Sequence, residues 1–375
     1  MEYRYPTSGM PKHLHSDRQQ HQLWEPVATR GGIMLAWDHW HIEPSSICTL
    51  KCPRCPRAEV PETLLNRQLD LGFFQNQIGA DTIKSIRKIT FCGNDGDPIY
   101  CRDLLAIIQW IKSVNPSMNL VLITNGSYKP QSWWQELAGV LNHHDEINWS
   151  IDGWDQDSNQ QYRVNCDWGS IISGMDTFKT ANQSTYCVWA AIAFRFNQDH
   201  LIYMQSLAEE HGMDLFQLTK STKFGSHYPE AYGSQDPLCP EYPDLVASGH
   251  RFERMLHPIT ARSRPSDQIK TVFWQRAQTL EKQKQYSGIC LIGNKGVFLN
   301  SQGEFYPCCW TANRYQHNQQ WHELARTKFN LRQRTFSDII SDEFWKTDFL
   351  RFDSLECTTK CAPGRLKDFD HVTEW

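Results

Sequence analysis

The chain has 375 residues, a formal net charge of -4, 40% hydrophobic and 21% charged residues, a profile that describes a globular protein with a large buried core. A mildly acidic balance gives no electrostatic reason for tight nucleic-acid binding, and no apolar run approaches the ~20 residues of a membrane span. Thirteen cysteines without a visible secretory signal predict metal-binding or catalytic thiols in a cytoplasmic, reducing setting rather than a disulfide framework.

Residues 1–30 are polar, carry His13, His15 and His21, and predict a mobile tail. After them, strand-like and helix-like runs alternate. The strands are predicted at GIMLAWDHWHI (32–42), KITF (88–91), NLVLIT (119–124), EINWSI (146–151), CVWAAIAF (187–194) and LFQLT (215–219). Five helices fall between them, at 73–86, 103–114, 132–142, 170–181 and 201–212. In the second, Leu104, Ile107, Ile108 and Ile111 repeat with the spacing of a buried helix face. Such alternation predicts an α/β fold with a parallel sheet, either curled into a full or partial barrel or laid out openly. In both geometries the functional site belongs at the C-terminal ends of the strands. From 219 to 287 the alternation stops, and Pro229, Pro237, Pro240 and Pro243 predict an irregular insert or linker. Residues 288–375 read as a small second module, with a hairpin turning at Ser301-Gln302-Gly303 and a helical stretch at 336–350.

The loop after the first strand, ICTLKCPRCPR (47–57), holds Cys48, Cys52 and Cys55 at the spacing C-x3-C-x2-C. The spacing i, i+4, i+7 would suit one face of a helix, but Pro53 and Pro56 oppose a helix there. Three uses remain open for these thiols: a packing cluster, a zinc site completed by His41, or an iron–sulfur cluster held by thiolates. The isolated cysteines Cys92, Cys101, Cys166, Cys187 and Cys239 read as small core residues.

Further motifs follow at later strand ends: FCGNDGDPI (91–99), LITNG (122–126), WSIDG (149–153) and FRFN (194–197). With the cysteine loop before them, over roughly Gly32 to Leu218, they resemble the radical S-adenosylmethionine (SAM) superfamily. The resemblance implies a partial (β/α)6 barrel in which Cys48, Cys52 and Cys55 hold a [4Fe-4S] cluster whose open iron chelates SAM. Gly93, Asn94, Gly96, Asp97 and Pro98 match the family's Gly-Gly-Glu-Pro motif in its G-x-x-G-[DE]-P form, with Asp97 in place of the usual glutamate. This stretch would hold the SAM ammonium, the glycines letting the backbone approach closely. Ser150 and Arg163 stand where SPASM-type members contact the SAM carboxylate, a group that an arginine fork fits; Arg195 and Asn197 occupy a further family position.

Cys290, Gly303 and Cys308 follow the C-x(9–15)-G-x4-C pattern of SPASM and twitch domains, and Cys357-x3-Cys361 supplies a later pair. The resemblance thus implies a small C-terminal SPASM/twitch-like hairpin-plus-helix domain, with Cys290, Cys308, Cys357 and Cys361 on a second, auxiliary [4Fe-4S] cluster. A zinc site is the alternative for this set. Cys309 is left over, a bystander, an alternative ligand or a group near the substrate; sulfatase-maturing relatives carry a catalytic aspartate at that position. The expected activity is reductive cleavage of SAM to a 5′-deoxyadenosyl radical that abstracts a substrate hydrogen. An external flavodoxin- or ferredoxin-like donor would supply the electron. The expected substrate is a peptide or protein, with a sugar- or nucleotide-like small molecule as the alternative. An RNA substrate is disfavoured, because residues 219–289 carry only ten Lys/Arg against seven Asp/Glu. Most of the fifteen tryptophans are expected to fill the core.

Overall fold

The computed structural model describes residues 27–28, 34–35, 37–59, 64–221, 224, 236–247, 253–267, 269, 296–312 and 318–349. Cys290, Cys357 and Cys361 lie outside the described residues, as do most of the expected tail and much of the expected insert.

Six parallel strands run side by side in chain order: β3 (His39–Ile42), β4 (Lys88–Phe91), β5 (Asn119–Thr124), β6 (Glu146–Ser150), β7 (Tyr186–Ile192) and β8 (Leu215–Lys220). They match the six predicted strands. The first is shorter than its apolar run, which is divided: β2 (Met34–Leu35) pairs instead with β1 (Val27–Ala28) in a separate two-stranded sheet. The predicted helix 73–86 is also divided, into α2 (Leu71–Phe73), a π turn (Phe74–Ile78) and α3 (Ala80–Ser85). The other crossovers are carried by α4 (Leu104–Val114), α5 (Gln131–Ala138), α7 (Trp168–Ala181, after the single turn α6, Gln156–Asn159) and α8 (Leu201–Glu210).

Three further strands extend the sheet to nine. β9 (Glu253–Pro258), inside the region read as irregular, runs antiparallel beside β8. At the other edge β10 (Val297–Leu299) pairs parallel with β3, and β11 (Phe305–Tyr306) folds back on β10 through the expected turn. Gly303 adopts φ +82° in that turn, a conformation side chains resist. With β11 and β9 at its two ends, the sheet is an open, partial barrel.

Alternation along the strands separates two faces. Trp40, Ile89, Leu122, Trp149, Trp189 and Phe216 belong to one continuous apolar core. The residues between them make the inner face, polar on β4 and β6 and carrying a small apolar cluster of Tyr186, Val188 and Leu215 on β7 and β8; its lower end is filled by loop 262–267. There Arg264 Nε meets Glu146 Oε2 at 2.8 Å, Lys88 Nζ donates to Ser266 Oγ at 2.9 Å, and Ser266 Oγ donates to Asn119 Oδ1 at 3.2 Å. The inner face is therefore closed at the N-terminal ends of β4, β5 and β6, leaving the opposite end for a site. The same core runs into the C-terminal quarter: Phe336 packs edge-on to Trp40 at 4.6 Å between ring centroids, and Trp345 likewise to Trp37 at 5.1 Å. Trp40, Trp134, Trp149, Trp189, Trp321 and Trp345 are all fully buried, as expected of core tryptophans.

Candidate active site

The cysteine loop leaves β3 at the C-terminal end of the sheet, and it is not helical until the single turn α1 (Pro56–Glu59). Cys52 is buried, while Cys48 and Cys55 are half-buried. Neighbouring loops fix its course: Lys51 N donates to Val164 O at 3.0 Å, Asn165 Nδ2 to Thr49 O at 2.9 Å, and the Arg57 guanidinium to the carbonyls of Ser46 and Asp95.

The second motif folds against this loop. A Cβ on Gly96 would lie 2.0 Å from Ser45 O, and one on Gly93 2.3 Å from Gly96 O, so only glycine permits the close backbone approach. The turn is fastened from beneath by Glu43, whose buried Oε1 accepts from Asp95 N at 2.5 Å and Gly96 N at 2.9 Å. Sequence reasoning missed Glu43; its one signal is an acidic residue directly at the end of an apolar strand. Asn94 Nδ2 is enclosed and meets no acceptor among the described residues. Pro98 opens the 3-10 turn Pro98–Tyr100, capped by Asp97 Oδ1, which accepts from Ile99 N at 3.1 Å.

Asp97 does more than cap. Its carboxylate accepts from Thr124 Oγ1 (2.8 Å), Asn125 N (2.7 Å) and Asn125 Nδ2 (2.6 Å), and Asn125 Nδ2 also lies 3.8 Å from Cys48 Sγ. One carboxylate thus joins the second motif, the third motif and the first cysteine. Burial pushes the Asp97 carboxyl up, against the pull of these donors. Tyr100 adds a second tie: its hydroxyl is 2.6 Å from Thr49 Oγ1 and donates to Ser127 O at 3.2 Å.

Arg163 stands beside Cys52, with its Nε donating to Asp152 Oδ2 at 2.5 Å. Burial works against its charge, and Asp152, Cys52 and Tyr162 more than offset that penalty. Ser150 sits half-buried at the end of β6. Arg195 turns to another segment, donating from Nε to Cys239 O at 3.0 Å. Asn197 is fully buried and spans Phe194 N, Asp152 O and Ile192 O, a brace for the β7–α8 loop.

The thiols of Cys48 and Cys52 are each pushed up to about 12 by burial above all; Asp97 adds to the shift at Cys48, and Arg163 opposes it at Cys52. An all-sulfur donor set suits iron–sulfur clusters and zinc alike. Among the described residues no group of three His, Cys, Asp or Glu side chains is gathered as a site for one metal ion. In a four-iron cube each thiolate takes its own iron, so the three sulfurs need not meet at one point. His41, the fourth ligand a zinc site would require, faces Cys92, with Nδ1 3.9 Å from its Sγ. The loop therefore fits a cluster better than a single zinc. Of the C-terminal thiols, Cys308 is buried at the base of the hairpin beside Thr311, and Cys309 is buried near Cys92, whose thiol is pushed up by burial and then by Cys309 and Glu43.

No family model and no curated protein matches the chain. Among solved structures, SuiB of Streptococcus suis bound to the precursor peptide SuiA is similar over 86% of this chain and 69% of that chain, with 15% identity and a TM-score of 0.54. SuiB bound to S-adenosylmethionine is similar over 86% of this chain and 66% of that chain, with 16% identity and a TM-score of 0.51. The chain thus spans about two thirds of the length of SuiB. An open barrel of six parallel strands, a three-cysteine loop after the first of them and a C-terminal hairpin set against that same strand give this chain the radical SAM fold.

Proposed function

We propose that the protein is a radical SAM enzyme whose Cys48, Cys52 and Cys55 hold a [4Fe-4S] cluster. The observation that carries this reading is the convergence of three strand-end motifs on Cys48 through Asp97 and Asn125. When bound, the cluster and SAM together supply a 5′-deoxyadenosyl radical for hydrogen abstraction, with the electron coming from an external flavodoxin- or ferredoxin-like donor. The chain's own residues shape the site. Glu43 and the two glycines hold the 93–97 turn against Ser45, and Asp97 locks the 124–127 loop to that turn. Arg163, pinned by Asp152, keeps a positive charge beside Cys52. Ser150 and Asn94 are polar groups at the same end of the sheet that remain for the cofactor. Loop 262–267 closes the far end, so substrate enters from the cysteine side.

The proposed substrate is a peptide or protein, a reading supported by the likeness to SuiB, which was solved with its precursor peptide. A small-molecule substrate is the second reading, since polar groups such as Asn148 and Gln217 lie buried on the inner face. Cys290, Cys308, Cys357 and Cys361 are proposed to bind the auxiliary cluster; the buried Cys308 at the hairpin base supports this. The test is anaerobic reconstitution followed by reduction with dithionite in the presence of SAM. Formation of 5′-deoxyadenosine is expected, and its absence from iron-loaded protein would overturn the reading.

A further inference from the structure

We propose that Asp236 is a positioning residue for the cysteine loop, a role that rests on the reading of that loop as a cluster site. Arg54 lies between Cys52 and Cys55, and its Nη2 meets Asp236 Oδ2 at 3.0 Å. Both side chains are withdrawn from water, at 3% and 0% relative exposure. Asp236 belongs to a distant part of the sequence, 182 residues on, so this contact is a tertiary one.

The segment that carries Asp236 is itself anchored. Asp236 Oδ1 accepts from Leu238 N, and Cys239 N donates to Asp236 O, both at 3.0 Å, which fixes the carboxylate on a tight turn. The turn is tied to the β7–α8 loop: Arg195 N donates to Leu238 O at 3.1 Å, Arg195 Nε to Cys239 O at 3.0 Å, and Glu241 N to Gln198 Oε1 at 2.8 Å. A strap therefore runs from the end of β7 to the middle of the cysteine loop. Arg54 is the point where it grips.

A buried guanidinium that loses a carboxylate partner is biased toward water, because the desolvated charge has lost part of its compensation. Cys52 and Cys55 flank Arg54 by two and one residues, so an excursion of Arg54 that carries its backbone along displaces both sulfurs. A shift of that kind degrades a metal site while the β-sheet beneath it stays folded. The strap thereby makes the order of the cysteine loop depend on the β7–α8 end of the barrel.

The test uses the full chain with Asp236→Asn, Asp236→Glu and the exchange Arg54→Asp with Asp236→Arg. Trypsin digestion of the metal-free protein reads loop opening at Lys51, Arg54 and Arg57, since cleavage tracks the open population. Iron uptake from ferrous iron and sulfide reads the site. For Asp236→Asn we expect cleavage within 51–57 about tenfold faster than wild type, cleavage elsewhere unchanged, and iron per folded chain reduced to less than half. Asp236→Glu, which keeps the charge, should restore both. Should Asp236→Asn fail to fold, the exchange variant decides: slow cleavage at Lys51 and Arg57 supports the strap, and fast cleavage overturns it. Wild-type cleavage rates in Asp236→Asn, or iron per folded chain unaltered, would also overturn it. Wild-type protein that takes up no iron would instead overturn the cluster reading, and digestion alone would then decide whether Asp236 orders the loop.

Discussion

Asp97 shows what a single side chain contributes here. Its identity follows from the G-x-x-G-D-P pattern, but its partners do not, because Thr124 and Asn125 lie 27 and 28 residues further on. The structure commits its carboxylate to donors of the protein itself. Asp97→Ala would orphan the buried N–H of Asn125, and each unsatisfied buried donor costs about 1–3 kcal/mol. A lower melting temperature by calorimetry is expected in the metal-free protein, and unchanged melting would show that water replaces the carboxylate. Glu43 was illegible in the sequence for a related reason. Its two acceptor contacts reach backbone amides at 95 and 96, and backbone amides carry no residue-type signature. Arg163 was singled out only through the resemblance; that its guanidinium is pinned by Asp152 beside Cys52 became visible only in three dimensions.

At the scale of elements, strands with apolar or β-branched runs were legible and those without were not. NLVLIT announces β5 by composition, and it pairs on both sides. Glu-Arg-Met-Leu-His-Pro does not announce β9: it is an edge strand with Leu256 half exposed, held by the backbone ladder to β8 and by the Lys220–Glu253 pair at 3.6 Å. Edge strands need no apolar alternation, and proline is tolerated there. The division of helix 73–86 was missed because its apolar spacing continues through Gly79, where φ reaches +81°. The inner face carries its own prediction. Asn148 Oδ1 is buried on β6 and accepts no hydrogen bond among the described residues. Asn148→Leu, of similar size, removes an unsatisfied acceptor and is expected to raise stability by about 1–3 kcal/mol. Chemical denaturation checks this, and a fall in stability would show that a bound water already serves the amide.

At the scale of the whole molecule, the C-terminal hairpin is continuous with the barrel, since β10 and β3 share a ladder and Trp40, Phe305 and Phe336 share a core. Among the described residues no helix is long and apolar enough to cross a membrane. With a barrel cluster and an auxiliary cluster, anaerobically reconstituted protein should carry about eight irons, and changing Cys48, Cys52 and Cys55 together to Ala should leave about four. A zinc site on the C-terminal cysteines would give about four irons and one zinc in wild type, and metal analysis separates the two outcomes. The ladder between β10 and β3 also governs how the protein comes into being. On the ribosome β3 is made early, and until residues 297–299 emerge, its outer edge has no partner. An unpaired edge invites pairing with other nascent chains. Closing it requires a contact between Glu43 N and Leu299 O, among the most sequence-distant in the fold, and such contacts form slowly. The strand that launches the cysteine loop is thus completed only when most of the chain has been synthesised, so a chaperone that shields this edge would act before any metal could be loaded.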